Sequence, residues 1–357
     1  MTYLASFEFF GNANKIQDFI DVLKSGDSLF SLVISYTETC EIQGITFAGA
    51  DKDSIKFTPP ADAEYLYYGY CKTIDTIPMT PDGKPTPALL TKTALESCSI
   101  PHIVINAGSK ISPQLPFIQT GLLPGQNIFI KSAMRDSQVS QAVDYGRMVG
   151  RTLASMTDCL IIGESIPGGT TTALAVLRGL GFKAKVSSSI PNNPIELKNQ
   201  IVNTALDRLT SENPYHIISE VGDPMIAFVS GMLSSASGIT KVMLAGGTQM
   251  AAVLAFASKI GFNEQNTAIG TTSYVSDDMS ANFKSLIPEI ADIPAIAVNP
   301  GLENSKFSGL KAFSQGFAKE GVGAGGSIIA SMIKTGNTSA DFLTLSEKEY
   351  HRLFTSL

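Results

Sequence analysis

CLIIGESIPGGTTTALAVLRGLG, residues 159–181, passes from a buried-strand pattern to a helical one through a turn of Pro, Gly and Thr, and that succession decides the fold class. Residues 159–162 make a short apolar run, and from Ala173 onward apolar residues recur at three- and four-residue spacing. Similar runs at 28–37, 101–108, 216–223, 241–248 and 295–301 each end in Gly, Thr or Asp, and helical patterns occupy 137–156, 194–209, 223–237 and 249–261. Strands alternating with helices predict an α/β fold, a Rossmann-like parallel sheet flanked by helices, with ligands at the carboxyl edge of that sheet. The expected organisation is an α/β core over 101–335, a terminal helix over 336–357, and residues 1–100 contributing to a smaller region or an interface, so that this region is built from N- and C-terminal segments.

The turn carries Glu164 at its mouth and no lysine. Backbone N–H groups at Gly168 and Gly169, with the positive end of the following helix, can hold a phosphate without one. Thr170, Thr171 and Thr172 can cap that helix and donate hydroxyls. The stretch matches neither GxxxxGK[ST] nor GxGxxG, so a plain capped turn is the competing reading. Gly246, Gly247 and Thr248 offer a second such turn.

Near the C-terminus, GFAKEGVGAGGSIIASMI places Glu320 before Gly321, Gly323, Gly325 and Gly326. Desolvation there would raise the carboxyl pKa toward that of a general base; the alternative is an exposed glutamate interacting with a helix N-terminus. Asp223, next to Pro224 and close to Glu220, is expected as an N-cap. Asp277 and Asp278 form an acidic pair that suits solvation, capping or magnesium.

A net charge of -6 without any basic run argues against nucleic acid as a partner and toward a small molecule. Four cysteines, Cys40, Cys71, Cys98 and Cys159, form no CxxC, and His102, His216 and His351 fall in no ligand spacing, so neither a disulfide framework nor a metal is expected. No apolar stretch reaches the ~18 residues of a membrane span, and the first residues lack signal-peptide features, so the expected location is cytoplasmic. With 16% charged residues, some surface is expected to be covered by another subunit. Residues 55–90, rich in Pro and Tyr, are expected to form a loop over a ligand site or partner, or a plain surface excursion. Tyr65, Tyr67, Tyr68 and Tyr70 suit either packing or stacking on a base.

Taken in order, these stretches resemble the nicotinate-nucleotide:dimethylbenzimidazole phosphoribosyltransferases, specifically an archaeal and cyanobacterial branch. IIGESIPGGTTTALAVL is similar to the family's GEMGIGNTT segment, and FAKEGVGAGGSIIASM to its LGEGTGAALALPL. GDPMIAFVSGMLSSAS and KVMLAGGTQMAAVLAFA resemble EIAAMAGAILAAA and PVLLDGFIATAAAL, and IKSAMRDSQVSQAVDYGRMVG resembles PAMTREQAEAALEAGIELA. The likeness spans residues 100–335; Ile-Pro-Gly-Gly stands where the family has Gly-Ile-Gly-Asn, and Ala-Gly-Gly-Thr where it has Leu-Asp-Gly-Phe.

The resemblance implies displacement of nicotinate from nicotinate mononucleotide by a benzimidazole nitrogen, giving an α-ribotide for the lower ligand of cobamides, without a cofactor. It places Glu320 as the base and Glu164 beside the ribose or the developing positive charge. Gly168 to Thr172 with Gly246, Gly247 and Thr248 would lie on phosphate and ribose, and Gly321 and Gly323 on the acceptor base. It also implies a homodimer whose partners are a nucleotide and an aromatic base. Two other activities fit the same residues: hydrolysis of a nucleotide or glycosyl phosphate, and nucleotide binding without turnover.

Overall fold

The computed structural model describes residues 3–46, 48, 52–76 and 84–355. Eight strands form one sheet: β1 (Phe7–Gly11), β2 (Ser28–Ile34), β3 (His102–Asn106), β4 (Ile118–Gln119), β5 (Cys159–Ser165), β6 (Lys241–Ala245), β7 (Thr267–Thr272) and β8 (Pro294–Val298). Their order is β1-β8-β7-β6-β5-β2-β3-β4. All neighbours are parallel except β1, which runs antiparallel along the β8 edge. The helices are α1 (Ile16–Ser25), α2 (Thr58–Tyr68), α3 (Ala88–Ser97), α4 (Asp136–Ala154), α5 (Gly169–Gly179), α6 (Ile195–Leu206) and α7 (Pro214–Val221). They continue with α8 (Pro224–Ala236), α9 (Thr248–Ile260), α10 (Ser273–Ser276), α11 (Phe283–Ile290), α12 (Ser308–Ser314), α13 (Ala324–Thr335) and α14 (Ser339–Thr355).

Side-chain alternation along β5 divides the core. Leu160 and Ile162 enter the apolar layer beneath α4, α5, α8 and α9, whereas Cys159 and Ile161 enter the opposite layer beneath α1, α3 and α13. The chain runs outward through β2, β3 and β4, returns to place β5 beside β2, and then runs outward the other way. That reversal puts a switch point at the carboxyl ends of β2 and β5, where Val33 lies opposite Glu164.

Two expectations are corrected. Residues 216–223 are not a strand but belong to α7 and its exit: Asn213 caps that helix by accepting from Tyr215 N at 2.9 Å, Pro214 opens it, and Ile217, Ile218 and Val221 make its buried stripe. Much of residues 55–90 is helical, since Pro59 and Pro60 start α2 and α3 begins at Ala88; residues 77–83 lie outside the described residues. The N- and C-terminal segments meet there: Tyr65 Oη donates to Glu349 at 2.6 Å, and Arg352 donates to the Gly69 carbonyl at 2.8 Å. Among the described residues, no helix is long and apolar enough to cross a membrane.

Helices α4 and α8 cross at backbone contact. A Cβ on Gly231 would lie 2.2 Å from Val143 O, and one on Gly146 would lie 2.0 Å from Phe228 O. Because main-chain atoms cannot step aside like a side chain, Gly231→Ala is expected to destabilise the fold by about 1–3 kcal/mol or more. The check is thermal melting beside an exposed alanine substitution on α4; an unchanged midpoint would refute the crossing as drawn.

Candidate active site

A cavity of about 380 Å³ opens at the carboxyl edge, walled by the segments that follow β5, β6 and β7 and by the turn before α13. Glu164, at the end of β5, is 3% exposed and lines it. Burial pushes its carboxyl up to about 8, with the negative charges of Glu320 and Asp223 adding to the effect. Its main-chain oxygen accepts from Val322 N at 2.8 Å, which ties β5 to the turn carrying Glu320.

Glu320 lines the same cavity. Its Oε1 accepts from Gly325 N at 3.0 Å and Gly321 N at 3.3 Å, and its Oε2 from Thr272 N at 3.0 Å and Thr271 Oγ1 at 3.3 Å. Burial raises the carboxyl to about 7, and these bonds to the ionised form hold it from rising further. The turn is held under strain: Ala318 and Val322, on either side of Glu320, have φ of 44° and 55°, left-handed values that non-glycine residues seldom adopt.

Gly168, Gly169 and Thr170 also line the cavity, at the N-terminus of α5. Gly168 has φ of 73°, and a Cβ there would lie 2.7 Å from Cys40 Cβ. No threonine side chain caps the helix; the N-cap is Gly168 itself. The other two threonines point inward. Thr171 is buried, with its hydroxyl unpartnered among the described residues, and Thr172 donates to Asp223 Oδ2 at 2.5 Å. Asp223 also caps α8 by accepting from Ile226 N at 2.9 Å, so one buried carboxylate joins the first turns of α5 and α8. Gly247 and Thr248 line the cavity and Gly246 does not. Gly321 lines it, whereas Gly323 caps α13 and packs on Phe30 and Gly163.

Four further charged groups lie in or behind the cavity wall. Lys319 is buried in the cavity wall and pairs with Asp278 at 2.5 Å. Asp278 also accepts from Ser187 and Ser280, and despite burial the bond from Lys319, with these two, brings its carboxyl down to about 2. Lys198, 1% exposed on α6, lies behind the wall of residues 187–189 and donates to Ser187 O at 3.0 Å. Burial pushes it down to about 7, and the charge of Lys319 adds to that. Asp62, from α2, accepts from Thr86 Oγ1 and Ser165 Oγ, each at 2.7 Å, and burial raises it to about 6.

A family profile described as Phosphoribosyltransferase matches residues 96–275. A UPF0284 protein of Archaeoglobus fulgidus is 47% identical over 93% of this chain and 95% of its own length. The chain belongs to the phosphoribosyltransferase family, among the UPF0284 proteins. A second UPF0284 protein, from Sulfurisphaera tokodaii, is 44% identical over 94% of this chain and 97% of its own. Among solved structures, CobT from Thermus thermophilus has the same fold, with a TM-score of 0.58 at 16% identity over 89% of this chain and 84% of that one. A structure from the same organism, titled as the nicotinate-nucleotide-dimethylbenzimidazole phosphoribosyltransferase, matches with a TM-score of 0.58 at 16% identity over 93% and 94%.

In this phosphoribosyltransferase-family chain, the acidic pair Asp277 and Asp278 is engaged with lysines, Lys284 at 2.6 Å and Lys319 at 2.5 Å. No cluster of three or more His, Cys, Asp or Glu suited to a metal occurs among the described residues. Glu220 lies outside the cavity, accepting from Ser132 and facing Arg208 at 3.6 Å. The tyrosine cluster is also outside it; Tyr68 stacks on Tyr70 with centroids 5.5 Å apart, and Tyr67 meets His102 edge-on. No local pattern in the sequence marks Asp62, Lys198 or Lys319. The one usable signal is the Thr-Pro-Pro helix start at 58–60, which places Asp62 one turn inside α2, on the side of Thr58.

Proposed function

We propose that the protein transfers the phosphoribosyl group of nicotinate mononucleotide to a ring nitrogen of a benzimidazole-type base, giving the α-ribotide of a cobamide lower ligand. The observation that carries this reading is the pair Glu164 and Glu320 facing one cavity with the N-terminus of α5. Two carboxyl groups that are costly to ionise in an empty site favour a cation between them. The pyridinium ring of the nucleotide, and then the positive charge that develops at C1′, are such cations.

The bond changes follow. The C1′–N bond to nicotinate breaks with its electron pair going to the pyridine nitrogen, which neutralises the pyridinium and lets nicotinate leave without an acid. The unprotonated imidazole-type nitrogen of the base forms the new C1′–N bond from the opposite face, converting β to α. Glu320 takes the proton from the base's other ring nitrogen. Glu164, whose carboxyl burial raises to about 8, orients the ribose through hydrogen bonds to its hydroxyls, and its oxygens face the positive charge that develops at C1′. The α5 turn and the wall of residues 187–189 with Lys319 receive the phosphate. Phe57, Ile74, Pro85 and Pro87 add apolar wall from the N-terminal hundred residues, which supports an aromatic acceptor over water.

The test is nicotinate release from nicotinate mononucleotide by the purified protein, followed by chromatography with and without 5,6-dimethylbenzimidazole. Base-dependent release with an α-ribotide of matching mass is expected. Release without base would make the protein a hydrolase, and binding without release would remove the transfer altogether.

A further inference from the structure

Four hydrogen bonds pin the turn that carries Glu320. Ala318 N donates to Ser189 O at 2.8 Å, Thr272 Oγ1 to Lys319 O at 2.6 Å, and Val322 N to Glu164 O at 2.8 Å. Those three partners sit at the carboxyl edge of the sheet or on the wall of residues 187–189. The fourth does not: Thr91, fully buried on α3 and outside the cavity, donates its hydroxyl proton to Val322 O at 2.9 Å. Among the described residues that carbonyl accepts no other hydrogen bond, and the other acceptor within reach of the hydroxyl, Pro87 O, lies at 3.5 Å.

Gly321, Val322 and Gly323 follow one another at φ of 144°, 55° and 70°. The glycines adopt such values freely, but a β-branched residue does not, so Val322 would rotate toward negative φ unless both of its peptide groups were held. Its N–H is held from β5 and its carbonyl from α3. Releasing the carbonyl lets that rotation proceed, and a buried carbonyl left without a donor favours it. Gly321 N lies on one side of Val322 and Gly325 N on the other, and both donate to Glu320 Oε1, at 3.3 and 3.0 Å. Rotation at Val322 therefore parts two donors that converge on one oxygen. We infer that Thr91 is a positioning residue for Glu320: by holding the Val322 carbonyl it keeps the left-handed turn closed, and with it the N–H groups that seat the carboxylate. Thr91 lines no part of the cavity and acts through the main chain. The inference rests on the transferase reading for Glu320 as the base, and on the turn alone for the seat of its carboxylate.

Thr91→Val removes the hydroxyl at nearly constant shape. Donors to the ionised carboxylate hold its proton affinity down, so loosening them raises it. With the full-length protein, the rising limb of kcat/KM is expected to move up from about pH 7 by about one pH unit, the effect of one weakened bond to a charged group. At pH 7 kcat/KM then falls about 5-fold and returns at more alkaline pH, with KM for the nucleotide unchanged on the plateau. Thr91→Ser keeps the donor and should keep the limb near pH 7. Among the described residues Thr91 makes no hydrogen bond to the charged groups that share the cavity, Glu164, Asp62, Lys84 and Lys319, so the substitution reaches Glu320 through the turn. A Thr91→Val protein that melts lower but keeps its limb near pH 7 would reduce Thr91 to packing and overturn the inference. A limb that moves as far in Thr91→Ser as in Thr91→Val overturns it too. Should Thr91→Val not fold, Thr91→Ala is read by the same criterion. If the wild-type protein transfers no base, the transferase reading falls, and NMR titration of carboxyl-labelled glutamate decides the seat separately, the Glu320 signal being the one lost in Glu320→Gln. A midpoint about one pH unit higher in Thr91→Val upholds the positioning role, and an unchanged midpoint ends it.

Discussion

Glu320→Gln is expected to lower kcat for base-dependent nicotinate release by about 10²-fold to 10⁴-fold, the range over which a positioned base contributes. The two short contacts to its carboxylate, from Thr272 N and Gly325 N at 3.0 Å, fix the group, while the two at 3.3 Å, from Thr271 Oγ1 and Gly321 N, are long enough for an incoming N–H to replace. A glutamine keeps the shape but must turn its NH2 toward a backbone N–H on one side, so a modest fall in melting temperature accompanies the substitution. Loss of activity alone therefore does not assign the role. The pH profile does. With the carboxyl raised to about 7, the ionised base is scarce below that pH and complete above it, so wild-type kcat/KM rises with pH up to about 7 and then levels. The residual activity of the variant should show no inflection there. Near-normal turnover, or a limb near pH 7 that survives the substitution, would remove Glu320 as the base.

The strand, turn and helix of residues 159–181 were legible because a short apolar run gives way, across a turn of Pro, Gly and Thr, to a three-to-four-residue period within one short stretch. Residues 216–223 failed on the same criterion: Ile217 and Ile218 make as short an apolar run as a strand does, and only Asn213 and Pro214 upstream mark a helix start. β7 was hidden for a different reason. Its Gly270 and three threonines carry little strand signal, and Gly270 is there because α13 lies against it, with a Cβ only 3.0 Å from Gly326 Cα.

In the site, Glu164 and Glu320 each stand at a glycine-rich turn and could be picked out one at a time. That they face one cavity depends on β5 and β7 lying on either side of β6, which no local pattern encodes. Asp62, Lys198 and Lys319 lie in ordinary helix or turn sequence and gain their character from burial alone. The outward threonine of the α5 turn is likewise set by the helix phase: Thr170 meets the cavity while Thr171 and Thr172 turn into the core.

Gly325→Ala is expected to disturb stability and catalysis together. A Cβ at this position would lie 2.2 Å from the Thr271 carbonyl carbon and 2.5 Å from its Cα, so the first turn of α13 must lift from β7. Overpacking of this kind costs about 1–3 kcal/mol, and more where the obstruction is main chain on both sides. The lift also reaches Glu320, the proposed base, because Gly325 N is one of the two short donors to its carboxylate and Thr271 is the residue being displaced. Donors to the ionised form hold the carboxyl down, so weakening them raises its pKa and moves the rising limb of kcat/KM to higher pH. The expected result is a lower melting midpoint, reduced turnover at pH 7 and partial recovery of turnover at more alkaline pH. Glu320→Gln offers no such recovery, having no group left to ionise. A Gly325→Ala protein that melts like the wild type and keeps its limb near pH 7 would mean that α13 can carry a methyl group against β7 and that the seat of Glu320 does not depend on this glycine.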